Sequence, residues 1–175
     1  MSTSPQLHIL VGTTGDTALH AAQAAAKVLD GYFASIVITL LGEAHGIGLF
    51  GSGSDSGSPN RVPAEAGIGK AYIVCSSTYG HGNVPDNAQA FLASFDLEPA
   101  YLGHVRYGLM ALGDSSYGET YGAGARLIDA KLQDVGAQRV GDIFEHDAAS
   151  DVDADEAAAL WATTWVSAWQ QRLSN

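Results

Sequence analysis

Apolar runs typical of β-strands alternate with helical patterns along the chain, and this alternation limits the fold more than any other feature. Strands are predicted at about residues 7–11, 34–41, 71–76, 106–112 and 139–144. Helices are predicted at about residues 18–29, 85–95, 121–135 and 153–173. The alternation predicts an α/β fold with a doubly wound, five-stranded parallel sheet, covered by helices on both faces as a three-layer sandwich. Ligand sites in such folds lie in loops beyond the carboxyl ends of the strands.

One segment, at about residues 42–69, breaks the alternation because it is rich in Gly, Ser and Pro. Such a composition buries little surface, which predicts a long surface loop with room for a helical turn around residues 63–66. A linker between two domains is the alternative, but the roughly 40 residues before it are too few to fold alone. We therefore expect residues 1–175 to form a single domain.

The turn Val11–Thr17 joins the first strand to the first helix and carries three threonines and two glycines but no basic residue. The first N–H groups of a helix lack partners and lie at the positive end of its dipole, so such a turn can bind a phosphate without lysine or arginine. The other interpretation is that Thr13, Thr14 and Asp16 only cap the helix. The turn alone leaves both open.

Two further loops follow the third and fourth strands and each carries a tyrosine among small polar residues. They are Ser77-Thr78-Tyr79-Gly80-His81-Gly82-Asn83 and Leu112-Gly113-Asp114-Ser115-Ser116-Tyr117-Gly118. In a parallel sheet these loops and the first turn meet at one edge. Two tyrosines can enclose a flat heterocycle there while the first turn holds a phosphate, which fits a phosphorylated aromatic cofactor.

The three segments resemble the phosphate loop and the two ring-binding loops of the flavodoxin family. The segment Asn83–Asn87 is also similar to MioC-type flavodoxins and to the FMN domains of diflavin reductases. The resemblance covers most of the chain in element order. It implies a flavodoxin-like fold, FMN as cofactor and single-electron transfer as function, without an enzymatic reaction of its own.

Carried over to this sequence, the resemblance implies specific roles for the loop residues. Tyr79 and Tyr117 would flank the flavin ring, Gly80 would turn its carbonyl toward the flavin N5 on reduction, and Asp114 would accept a hydrogen bond from the flavin N3–H. The expected cofactor-binding residues are Gly12, Thr13, Thr14, Gly15, Asp16, Thr17, Ser77, Thr78, Tyr79, Gly80, His81, Gly82, Asn83, Leu112, Gly113, Asp114, Tyr117 and Tyr121.

The sequence also departs from the pattern that it resembles. Gly12 stands where the family usually has serine or threonine, Asp16 replaces an asparagine and adds a negative charge, and Thr120 stands where phenylalanine is frequent. His81 stands where an acidic residue is common, and its protonation would make the flavin potential depend on pH. A solvated histidine without effect is the alternative.

Charge and cysteine content limit the partners and the compartment. The formal net charge of −11 argues against nucleic acid and anionic membranes and favours a basic partner surface, although it also serves solubility. The resemblance implies an NADPH-dependent flavoprotein reductase as donor, a redox enzyme as acceptor and a monomeric carrier. A single cysteine, Cys75, and the lack of an apolar span predict a cytoplasmic protein without disulfides.

Several conspicuous residues are expected to be structural. Trp161, Trp165 and Trp169 recur every four residues and predict one buried stripe on the last helix. The acidic run at residues 147–156 is typical of a helix start, and the histidines outside the second loop show no metal-ligand spacing, so no metal site is expected.

Other functions compete with that of an electron carrier. A flavodoxin-fold reductase acting on a quinone or a flavin would need a pocket of its own, and the first turn lacks the G-x-G-x-x-G spacing of a nicotinamide site. A receiver domain would need an aspartate where the chain has Ser76 and Ser77. A module with weak or lost FMN binding stays open because of Gly12 and Asp16.

Overall fold

The computed structural model describes residues 4–43, 46–50, 69–97 and 101–174. The strands are β1 (Gln6–Gly12), β2 (Ser35–Leu40), β3 (Lys70–Ser77), β4 (Arg106–Gly113), β5 (Gln138–Arg139) and β6 (Phe144–Asp147). The α-helices are α1 (Thr17–Leu29), α2 (Asp86–Leu97), α3 (Ala123–Asp134) and α4 (Ala154–Leu173). Short 3-10 helices cover Leu41–Glu43, Gly46–Phe50 and Ser115–Thr120. Within these ranges no helix combines the length and the apolar content needed to cross a membrane.

All strands pair in parallel in the order β2-β1-β3-β4, with β5 and β6 both beside β4. The register brings the carboxyl ends together, since Gly12 pairs with Ser76, Ser77 with Leu112, and Gly113 with Asp147. The doubly wound parallel sheet predicted from the sequence is therefore confirmed. Its loops after β1, β3, β4 and β6 lie at one edge.

The predicted fifth strand at residues 139–144 is wrong in its bounds, because two short strands replace it. Gly141 between them has φ of 73°, which a regular strand cannot accommodate. The carbonyl of Asp142 accepts a hydrogen bond from the indole N–H of Trp161 at 3.0 Å instead of pairing with β4. The second piece, β6, then resumes pairing with β4 at Met110.

Helices cover both faces of the sheet. On one face α1 and α4 pack over Ile9, Ile73 and Met110, and on the other α2 and α3 pack over Val74 and Leu109. The stripe on α4 confirms its predicted role in the core, since Trp165 and Trp169 are buried. The ring centroids of Trp161, Trp165 and Trp169 succeed each other at 5.9 and 5.7 Å.

Phe50, within the segment predicted as a surface loop at residues 42–69, is packed in the core. Phe50 is buried, with its ring centroid 5.0 Å from that of Tyr72 and 6.1 Å from that of Phe91. Leu49 and Phe50, before the glycine- and serine-rich part, pack in the cluster that includes Phe91 of α2, which the average composition of the segment concealed. Residues 51–68, with the helical turn predicted near 63–66, lie outside the described residues.

Candidate functional site

A cavity of about 410 Å³ opens at the carboxyl edge of the sheet. It is lined by Thr17, Ser77, Thr78, Tyr79, Gly80, Leu112, Gly113, Asp114, Tyr117, Thr120, Tyr121, His146 and Ala148. The predicted loops after β3 and β4 thus meet, together with the start of α1 and the end of β6. Two aromatic side chains at this cavity are exposed, Tyr79 by 52% and Tyr117 by 62%, so their rings are open to an incoming flat molecule.

The loop after β3 is closed by a two-way backbone bridge between Tyr79 and Asn83. Each N–H donates to the carbonyl of the other, at 2.9 and 3.0 Å. Gly80 and Gly82 inside this loop have φ of 54° and 99°, values that side-chain-bearing residues rarely adopt. A Cβ at Gly80 would meet nothing within 4 Å, so its peptide has space to rotate.

The start of α3 presses directly on this loop. A methyl group at Gly124 would lie 2.8 Å from the carbonyl oxygen of Ser77 and 2.9 Å from that of Asn83. The N–H of Gly124 also donates to Thr78 Oγ1 at 3.3 Å. Helix α3 therefore forms the support behind the Tyr79 loop, and the close approach requires a glycine.

The loop after β4 is organised by the carboxylate of Asp114. Its Oδ1 accepts from the N–H of Ser116 at 2.8 Å and from the hydroxyl of Ser116 at 2.5 Å. No described residue donates to Oδ2, which leaves this oxygen free to accept from a ligand. The predicted helix over residues 121–135 begins later, at Ala123, because Gly122 has φ of 66° and interrupts the backbone.

Asp147, at the end of β6, holds the Tyr117 loop in place. Its Oδ1 accepts from the N–H of Ser115 at 2.8 Å and from that of Ala149 at 2.9 Å, while Ala148 donates to the carbonyl of Gly113 at 2.8 Å. Hydrogen bonds from the hydroxyl and N–H of Ser115 hold the pKa of Asp147 below its usual value. Burial, with Asp147 and Glu145 nearby, raises the pKa of Tyr121.

The turn before α1 lies at the same edge, and its helix start has no side-chain cap. Asp16 occupies the N-cap position but its carboxylate accepts no hydrogen bond from the first turn. At α4, by contrast, Asp153 accepts from the N–H groups of Asp155 and Glu156, each at 3.0 Å. The hydroxyl of Thr13 stays within the turn, where it bonds Gly15 in both directions. The first N–H groups of α1 are thus available to an anion, which argues against a mere helix cap.

Packing explains why residue 12 is a glycine, and the sequence did not reveal this. A Cβ there would lie 3.0 Å from Ser76 Oγ and 3.1 Å from Ala88 Cβ, so the position faces α2 rather than the cavity. The N–H of Thr13 donates to Asn87 Oδ1 at 2.9 Å, which ties the turn to α2. A serine at Gly12 would add a clash with this packing.

The predicted residues fall into two groups. Gly12, Thr13, Thr14, Gly15, Asp16, His81, Gly82 and Asn83 lie in the predicted turns but outside the cavity lining, and the others line it. His81 is exposed. Three lining residues were not among the predicted ones: Thr120, His146 and Ala148. The last two lie on β6 and the loop after it, which no motif indicated. No group of three metal-ligating side chains occurs in the described ranges.

A parallel α/β sandwich with an uncapped helix start and a cavity lined by two exposed tyrosines fits the class of proteins that bind a phosphorylated aromatic ligand. The family model described as Flavodoxin matches residues 65–161, more than half of the chain. The chain belongs to the flavodoxin family. The matched residues do not include the turn before α1. A role of that turn in binding is therefore supported by the structure and not by the family match.

Curated relatives agree with this family. The chain is similar to flavodoxin YqcA of Pectobacterium carotovorum subsp. carotovorum, at 38% identity over 93 residues, 53% of this chain and 61% of that protein. It is also similar to methionine synthase reductase of Bos taurus, at 45% identity over 74 residues, 40% of this chain and 10% of that protein. The match thus spans less than two thirds of the length of these relatives.

Solved structures extend the likeness over nearly the whole chain. A cysteine-to-alanine mutant of flavodoxin from Pseudomonas aeruginosa superposes with a TM-score of 0.70 at 25% identity, covering 93% of this chain and 97% of that one. Oxidised flavodoxin 1 from Bacillus cereus superposes with a TM-score of 0.67 at 18% identity, covering 94% and 98%. The second likeness concerns the fold alone.

Proposed function

We propose that this chain is a single-domain FMN-dependent electron carrier. The observation that carries the proposal is the cavity that Tyr79 and Tyr117 line together with Thr17, at the uncapped start of α1. FMN needs a slot for a flat ring and, about one sugar-length away, donors for a phosphate. When bound, FMN supplies one-electron chemistry that no amino-acid side chain in the cavity offers.

The ring part of FMN fits the donor set and shape of the cavity. The two exposed tyrosines offer apolar faces, and Leu112 adds apolar lining to the same cavity. The unpartnered Oδ2 of Asp114 suits the N3–H of the flavin, because an ionised carboxylate accepts hydrogen bonds. The open space at Gly80 suits a peptide that turns its carbonyl toward the ring when the redox state changes.

The phosphate part fits the turn Gly12–Thr17. The free N–H groups of α1 offer donors, and the hydroxyls of Thr14 and Thr17 add more. No lysine or arginine lines the cavity in the described part of the chain. Binding of the phosphate therefore depends on attraction by the backbone dipoles of α1, which the negative charge of Asp16 opposes.

The proposed partners follow from charge and from the related reductase domains. A net charge of −11 suits docking to a basic face on an NADPH-dependent flavoprotein reductase and on an acceptor redox enzyme. We propose that the carrier is a monomer and works in the cytoplasm, where Cys75, which is free and buried, stays reduced.

An anaerobic redox titration of the purified protein, followed by absorbance, tests the proposal. We expect a yellow protein that accepts two electrons in separate one-electron steps and does not oxidise NADPH by itself. A colourless protein that takes up no added FMN would contradict the carrier and favour a module without cofactor. A yellow protein that oxidises NADPH unaided would favour a reductase.

A further inference from the structure

His146 is the buried imidazole of the candidate site that no sequence motif indicated. Its side chain is 7% exposed and lines the cavity. Within the described residues, its ring nitrogens make no hydrogen bond. Neither ring nitrogen is among the fully enclosed polar atoms of the described part of the chain. Both are therefore accessible to a ligand in the cavity that the side chain lines.

The position of this ring is fixed by the strand beneath it. His146 pairs in register with Leu112 of β4, another cavity residue. Its ring lies nearly parallel to that of Phe144, with 6.3 Å between centroids and 6° between planes. Phe144 in turn is buried against Trp161 of α4. A ring supported in this way is ordered before a ligand arrives, so a contact with the ligand costs little further side-chain entropy.

Among the cavity-lining residues that the structure describes, His146 is the one that can carry positive charge. Asp147, next to it, senses that charge, because the imidazole helps to lower the pKa of the Asp147 carboxyl. The charged residues beside it in sequence are Glu145 and Asp147, and Asp114 lines the same cavity. Arg126 is engaged with Glu145. The surroundings of the imidazole are thus mainly acidic, so they attract a positive charge on the ring rather than repel it.

We propose that His146 donates a hydrogen bond from its protonated imidazole to the FMN bound in the cavity. Binding of the anionic cofactor is then linked to uptake of a proton by the protein. This inference rests on the proposed function, since it requires FMN in the cavity. It assigns to His146 the positive charge that the turn before α1 lacks.

Calorimetric titration of the apoprotein with FMN at pH 7, in two buffers of different ionisation enthalpy, measures the proton uptake. For the unmodified chain we expect net proton uptake on FMN binding, because histidine is the side chain of the cavity that can gain a proton near neutral pH. H146Q keeps a donor but cannot be protonated, so we expect no uptake and roughly tenfold weaker binding at pH 6. The control is H20Q, an exposed position on α1 outside the cavity.

Equal uptake in the unmodified chain and in H146Q would overturn the inference, and so would a loss of uptake in H20Q alone. If the unmodified chain binds no FMN, the proposed function itself is wrong. If H146Q does not fold, an NMR titration of the unmodified chain tests the same inference. Addition of FMN should move the NMR titration of the His146 ring protons to higher pH, and an unmoved titration would contradict the hydrogen bond.

Discussion

Asp16 illustrates how one residue can occupy a structural position without filling its usual role. It stands at the N-cap of α1, yet its carboxylate leaves the N–H groups of the first turn free. A bound phosphate would take those donors and would lie beside a second negative charge. The affinity of the turn is therefore a balance between the helix dipole and the repulsion by Asp16.

D16N should tighten FMN binding roughly fivefold, because it removes the repulsion and keeps a side chain that suits the N-cap. The matched control is D30N, which removes the same charge at the other end of α1, about 20 Å away and beyond the screening length. Calorimetric titration with FMN at moderate salt measures both. Weaker binding in D16N would mean that Asp16 helps to hold the ligand.

Asp147 should make the free energy of unfolding depend on pH in the acidic range. Its pKa is lowered on folding, so its contribution is fully present above the ordinary carboxyl pKa and is lost as the pH falls below about 4. We expect D147N to have a lower urea midpoint than the unmodified chain at pH 7, with the difference shrinking below pH 4. D151N, an exposed neighbour, is the control. A difference that is independent of pH would show that the carboxylate is not the source.

The sequence allowed some of these residues to be predicted and concealed others, for physical reasons. Tyr79, Tyr117 and Asp114 follow apolar strands directly, so their place at the sheet edge follows from chain order. His146 reaches the cavity only through the register of β6 with β4, which starts after a break that no residue pattern announced. Such long-range pairing is not encoded in local periodicity.

At the scale of elements, β1, β3 and β4 were predictable because they are mostly buried and read as nearly continuous apolar runs. The break between β5 and β6 at Gly141 and the late start of α3 were not predictable, because each depends on a positive φ at a single glycine. Glycines tolerate such values but do not require them. Element order was thus readable from the sequence, whereas two boundaries depended on the tertiary structure.

G124A tests whether α3 positions the Tyr79 loop. The added methyl group has no space between the carbonyls of Ser77 and Asn83, so we expect at least tenfold weaker FMN binding and about 1–3 kcal/mol lower stability. G31A is the control, because a Cβ there meets nothing within 4 Å. Calorimetry and urea unfolding measure the two effects. Lower stability with unchanged FMN binding would show that α3 does not position the Tyr79 loop for the ligand.

At the scale of the whole molecule, the dominant property is the charge of −11 spread over 175 residues. Like charge keeps copies of the chain apart and attracts a basic partner over distances set by the ionic strength. The electrostatic contribution should therefore appear in rates of encounter more than in the strength of any single contact.

Reduction of the carrier by an NADPH-dependent reductase with a basic docking face should slow as salt rises, because screening removes the attraction. Reduction by dithionite, a small anion, should instead accelerate with salt, since screening then removes a repulsion. Stopped-flow measurement of both reduction rates across a salt series tests the sign of each salt dependence. A reductase rate that is independent of salt would contradict electrostatic docking.

The tryptophan ladder on α4 also gives this protein an intrinsic optical reporter. Trp165 and Trp169 are buried, and their indole N–H groups have no hydrogen-bond partner, so their fluorescence should be blue-shifted like that of an indole in hydrocarbon. Trp161 contacts Phe144, on which His146 stacks at the edge of the cavity. A flavin absorbs where tryptophan emits, so arrival of the cofactor should dim this emission by energy transfer. Occupancy of the site can then be followed in an unlabelled sample, through light emitted by the core itself.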